Sequence, residues 1–121
     1  MSRQHHSDLM VWNKAMDLAD EIYRLTRHLP MEERYSLCDQ MHRAAVSIPS
    51  NIAEGHGRHN DNEFKRFLLI AKGSNAELET QLLLCVRLNY LNKDQIQPAI
   101  SLCDEISRMI VSMVKSLNND K

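Results

Sequence analysis

The sequence predicts an all-α fold, an antiparallel up-down-up-down four-helix bundle with a proline inside the second helix. Two observations carry that prediction. The 121 residues include only 3 glycines, 3 prolines and 5% aromatic residues, too few turn formers and large flat side chains for a sheet protein. Apolar residues recur at spacings of three and four along four successive stretches, with only short polar or glycine-containing breaks between them. Short connections make consecutive helices pack as antiparallel neighbours, crossing at roughly 20°.

Residues 1–7 are polar and read as a disordered lead, after which Ser7 or Asp8 can accept the free amide hydrogens that open a helix. Leu9, Trp12, Ala15, Met16, Ala19, Ile22, Tyr23 and Leu25 then form one apolar stripe, which ends before Pro30. Glu32 and Glu33 suit the positive end of a second helix, whose stripe is Leu37, Met41, Ala44, Ile48 and Ile52. Gly55 and Gly57 are expected to end it in the left-handed conformation, and Pro49 inside it removes the hydrogen bond to the Ala45 carbonyl.

Asn60 and Glu63 match a loose capping box that opens a third helix running to about Asn89. With each residue a 100° step, Phe64, Phe67, Leu68, Ala71, Leu78, Leu82, Cys85 and Val86 occupy an arc of roughly 100°, whereas Leu69, Ala76 and Leu83 lie well outside it. Asn92 and Gln95 cap the fourth helix, although Pro98 suggests a start nearer Gln95. From Ile96 to Leu117 the apolar residues spread over roughly 200°, about twice what one bundle core needs. The excess apolar surface predicts self-association, with Leu69, Leu83, Ile106, Met109 and Met113 as interface candidates. The bundle domain spans 8–117, and 118–121 reads as a loose tail.

Fifteen Lys and Arg against sixteen Asp and Glu leave a formal net charge of −1, so no global positive field gathers nucleic acid or anionic lipid. Cys38, Cys85 and Cys103 are odd in number, sit in apolar helical patterns and lack metal-like spacing; they read as buried reduced thiols of a cytoplasmic protein. No apolar run is long enough to span a bilayer, and the first ten residues lack the apolar core of a signal peptide.

The second helix carries Arg43, Ser47, Asn51 and Glu54, and the third offers Ser74, Asn75 and Glu77 beside the small residues Ala71, Gly73 and Ala76. A catalytic reading makes Glu54 a base or ligand and Arg43 an anion holder. The favoured reading is a polar network between helices, with Arg43 paired to Glu54 or Glu77 and amides serving backbone freed by Pro49. His56 and His59 flank Arg58 without a third ligand at metal spacing, and no phosphate loop, nucleophile elbow or CxxC pair occurs. No metal and no cofactor is expected. Over residues 42–72, five basic residues against three acidic give a local +2, with Arg58, Lys65, Arg66 and Lys72 as candidate contacts to RNA or DNA.

The segments VWNKAMDLADEIY (11–23), EERYSL (32–37), QMHRAAVSIPSNIAEGHGR (40–58) and EFKRFLLIAKGSNAELETQL (63–82) resemble the small four-helix-bundle proteins found as reading frames in intervening sequences of bacterial large-subunit ribosomal RNA genes. The accessory variability determinant of diversity-generating retroelements is similar to the same family. The resemblance implies a bundle that assembles as a ring-shaped homopentamer. It also implies that most members lack an established activity, while the retroelement member binds nucleic acid and a reverse transcriptase through basic surfaces. His42 stands where an arginine pair is common, and Ser36 replaces a usual glycine. The reading that follows is a non-enzymatic oligomeric scaffold or adaptor, associated with a ribonucleoprotein or an unknown partner protein; direct nucleic-acid binding by a basic surface repeated around the oligomer is the alternative.

Overall fold

A computed structural model describes residues 5–119. Its helices are α1 (Met10–Thr26), α2 (Leu37–Gly57), α3 (Asp61–Arg87) and α4 (Lys93–Asn119), with 3-10 turns at His6–Asp8 and Met31–Glu33 and no strand among the described residues. The chain is an all-α bundle. Helix α1 packs on α2 and α4, and α3 packs on the same two, so each helix touches its neighbours and not the one across the core.

Paired contacts give the helix directions. Between α2 and α3, Gly55 lies against Phe67, Ser47 Oγ is 2.9 Å from Ser74 Oγ, and Cys85 Sγ donates to Met41 Sδ at 3.8 Å. Between α3 and α4, Lys65 Nζ donates to Asn118 Oδ1 at 2.7 Å and Asn75 Nδ2 to the Cys103 carbonyl at 2.8 Å. Residue numbers rise on one helix as they fall on the other, so both pairs run antiparallel.

The core takes Ala15, Ile22 and Leu25 from the expected α1 stripe but adds Val11 and Leu18, while Met16 and Tyr23 are exposed. On α2 and α3 the expected stripes are buried, apart from Val86, which is half-buried. On α4 the core line is Ile96, Ala99, Cys103, Ile106 and Ile110. Ile106, an expected interface residue, is instead 0% exposed within its own chain. A wheel shows how wide an apolar arc is, not which half of it faces inward.

The ends of the helices follow local chemistry, with several departures from expectation; Glu32 and Glu33 lie in a 3-10 turn, and α2 starts only at Leu37. The segment holding Ser7 and Asp8 forms a 3-10 turn, and α1 starts at Met10 with no side chain accepting its free amides; Asn13 Nδ2 donates to the Ser7 and Leu9 carbonyls. Neither Gly55 nor Gly57 takes a positive φ, and the left-handed residues are His59 (φ 54°) and Asn89 (φ 63°). Asn60 Oδ1 accepts the Glu63 amide at 3.0 Å, and Asn92 and Gln95 exchange two bonds of 2.8 Å in a complete capping box. That box holds the start of α4 at Lys93 despite Pro98, which deprives only the Asp94 carbonyl of its helical donor. The expected tail begins inside α4, and residues 1–4 and 120–121 lie outside the described residues. No described helix is long and apolar enough to cross a membrane.

Candidate functional site

The helix period places Arg43, Ser47 and Glu54 on one side of α2, but only part of that set meets. Arg43, Ser47, Ser74 and Glu77, with Gln40 and Ala44, line a groove of ≈ 300 Å³ between α2 and α3. One turn further along α2, Asn51 Nδ2 donates to Ser47 Oγ at 2.9 Å and to the Ser47 carbonyl at 2.8 Å, while Ser47 meets Ser74 across the helices. This is a satisfied polar seam, and its hydroxyls touch no imidazole or carboxylate that could draw off a proton.

The expected pairing of Arg43 with Glu54 or Glu77 does not form. Arg43 Nε donates to Asp39 Oδ2 at 3.1 Å, and Glu54 accepts from Arg58 Nε at 3.0 Å. Eleven residues separate Arg43 from Glu54, and a rise of 1.5 Å per residue puts them about 16 Å apart along the axis. Nor does Asn51 reach the Ala45 carbonyl freed by Pro49; its amide stays on Ser47.

At the α2–α3 end, three of the four candidate cations, Arg58, Lys65 and Arg66, are already engaged. Arg66 makes two bonds to Glu63, of 3.2 and 3.1 Å, and Arg58 approaches the same carboxylate at 3.7 Å. Both guanidinium groups lie over the Phe67 ring, 5.1 and 4.5 Å from its centroid for Arg58 and Arg66. The bonded arginine holds the Glu63 carboxyl below its ordinary range. Lys65 reaches Asn118, and Lys72 is half-buried on α3. Two carboxylates therefore sit inside the basic patch that the sequence suggested.

The histidines flanking Arg58 separate in environment. His56 is buried against Phe64, while His59 is exposed, with the rings 6.4 Å apart. Among the described residues no three His, Cys, Asp or Glu side chains converge as metal ligands. All three cysteines are free and buried; burial pushes the Cys85 thiol up to about 11 and Cys103 up to about 12, far from the thiolate a nucleophile requires.

Two polar clusters have no counterpart in the sequence pattern. Tyr23 and His42 stack with ring centroids 3.9 Å apart and planes 5° from parallel, and His42 Nε2 lies 2.8 Å from Thr26 Oγ1. Burial lowers the His42 pKa from its ordinary value. Farther round, Glu33 accepts from Ser36 Oγ at 2.6 Å and Tyr90 Oη at 2.7 Å, tying the loop before α2 to the turn before α4. These bonds, that from Ser36 first, depress the Glu33 carboxyl, while the Glu33 bond raises Tyr90 to about 12. Residues 19 and 57 positions apart in sequence give no periodic signal, though Tyr23 at the edge of an apolar stripe marks a ring seeking a polar neighbour.

Fold and seam together define a small all-α bundle protein whose second and third helices are joined by buried and half-buried polar contacts. The chain belongs to the 23S rRNA-intervening sequence protein family, which matches over residues 7–112. Among solved structures it resembles a protein of unknown function from the S23 ribosomal protein family of Bacteroides thetaiotaomicron, with a TM-score of 0.80 and 27% identity, covering 88% of this chain and 99% of that one. No curated protein matches the chain.

Proposed function

We propose that the protein is a non-enzymatic, self-associating scaffold or adaptor of the cytoplasm. The outer face of α3 carries this reading. Leu69, Gly73, Ala76, Thr80 and Leu83 follow one another at alternating steps of four and three, the repeat of a helix-packing seam, and Leu69, Gly73, Thr80 and Leu83 lie on the side of α3 turned away from the core. Leu69 and Leu83 are each 53% exposed, and Ile70 and Leu84 flank them. Small residues in the middle let a second helix approach closely, and a cluster of this kind on one helix face favours a protein partner over water. The partner proposed is another copy of the chain; Met109 and Met113 of α4 lie instead on its α1 side, lining a groove with Leu9, Met10 and Val11. Three buried reduced cysteines support the cytoplasmic assignment. Association with a ribonucleoprotein rests on the family's name alone.

The decisive observable is molar mass by light scattering across a range of concentrations. A scaffold of this kind gives a discrete multiple of 14.0 kDa. A constant monomer mass removes the self-association on which the reading depends.

Direct nucleic-acid binding is the second reading, favoured by the clustering of Arg58, Lys65 and Arg66 at one end of the bundle. Glu54 and Glu63 neutralise much of that cluster within one chain, which is why the scaffold is placed first.

A further inference from the structure

The end of α1, the loop that follows it and the first turns of α2 enclose a cavity of ≈ 510 Å³, within the size range of small-ligand sites. One wall is the Tyr23–His42 stack, set in place by the Thr26 hydroxyl. Leu29, Pro30 and Met31 supply an apolar side, and Met31 is itself 77% exposed. Arg27 and Arg34 complete the lining.

The cavity brings two guanidinium groups together, whereas Arg87, which also has no ion pair among the described residues, lines none of the described cavities. Arg24, Arg43, Arg58, Arg66 and Arg108 each sit on a carboxylate. Arg27 and Arg34 have no ion pair among the described residues, although acidic side chains are close in sequence. Most of those carboxylates are engaged elsewhere: Glu21 holds Arg24, Asp39 holds Arg43, and Glu33 turns to Ser36 and Tyr90, while Glu32 is exposed and does not line the cavity. The Glu33–Tyr90 bond also fixes the loop to the α3–α4 turn, so the cavity is formed before any ligand arrives. Two unneutralised guanidinium groups beside an apolar, aromatic-walled hollow suit a ligand with a negative end and a flat apolar body.

We propose that this cavity binds a small organic carboxylate, its anionic end between Arg27 and Arg34 and its body against Pro30, Met31 and the Tyr23–His42 stack. The test is an NMR titration of the full chain with benzoate and indole-3-acetate, following the His42 ring and Met31 methyl signals. Benzamide, an uncharged counterpart, and inorganic phosphate, an anion without an apolar body, are the controls. At least one carboxylate should move both signals saturably, with affinity tenfold or more above either control. Replacing both arginines, Arg27→Ala with Arg34→Ala, should weaken binding at least tenfold while the circular dichroism spectrum is unchanged, and lysine at both positions should restore part of it. The proposal is overturned if neither carboxylate shifts these signals saturably, if benzamide or phosphate binds equally well, if the alanine variant folds and binds as before, or if the shifts centre on Met109 and Met113.

Discussion

His42 shows how a residue's role depends on neighbours that the sequence does not reveal. It is half-buried between α1 and α2, stacked on Tyr23 and bonded to Thr26. Burial holds its pKa below the ordinary 6.5, so the unfolded chain takes up the proton first as pH falls. Its contribution to stability is therefore present above about pH 6.5 and is lost as pH drops below that value. Thermal midpoints at pH 8 and pH 5.5 check this: the wild type should lose more between the two than His42→Gln does, and parallel losses would contradict it. Glu33 and Glu63, whose carboxyls are depressed from 4.5, contribute above that value and lose their contribution only at lower pH, outside this window. At the same scale, the wheel sets Arg43 beside Glu54 because angle alone ignores rise. Each instead takes the nearest opposite charge four residues away, an exposed pairing worth only a few tenths of a kcal/mol.

At the scale of the element, the stripes and capping signals of the helices were largely legible, because both are written in periods of three and four. The roles of the glycines were not. Gly55 is needed for close approach rather than for a left-handed turn: a Cβ there would lie 2.5 Å from Phe67 Cβ. Gly55→Ala should force α2 and α3 apart and destabilise the fold by about 1–3 kcal/mol, measured by denaturant unfolding. Gly73 is the opposite case, because a Cβ added there would meet nothing within 4 Å in the single chain. Gly73→Ala should stabilise an isolated bundle by about 0.5–1 kcal/mol, as helix propensity dictates. It should also weaken self-association if the α3 seam packs helix against helix. Higher stability with unchanged assembly would place Gly73 outside the interface. The misplacement of Ile106 belongs here too: the apolar arc of α4 is as wide as expected, but its facing direction is set by contacts with α1 and α3.

For the whole molecule, the near-neutral charge and the internal pairing of Arg58 and Arg66 predict no strong binding of nucleic acid. Fluorescence anisotropy with a mixed RNA and DNA oligonucleotide pool at about 50 and 200 mM salt tests this, since contacts to several phosphates weaken steeply over that range. Saturable binding at the lower salt that collapses at the higher would favour the nucleic-acid reading and make Arg58 the first residue to replace. The bundle and its directions follow from pattern, whereas the loop bond between Glu33 and Tyr90 and the cavity behind it arise only when distant segments meet.

The proposed self-association rests on the exposed seam of α3 as the surface for another copy of the chain. Sedimentation velocity of the wild type beside a Leu69→Glu, Leu83→Glu double variant is the sharpest test, because both side chains are exposed and their replacement leaves the core intact. The expected result is a discrete oligomer for the wild type and a smaller species of unchanged helical content for the variant. A wild type that sediments as a monomer, or a variant that assembles as the wild type does, would contradict it.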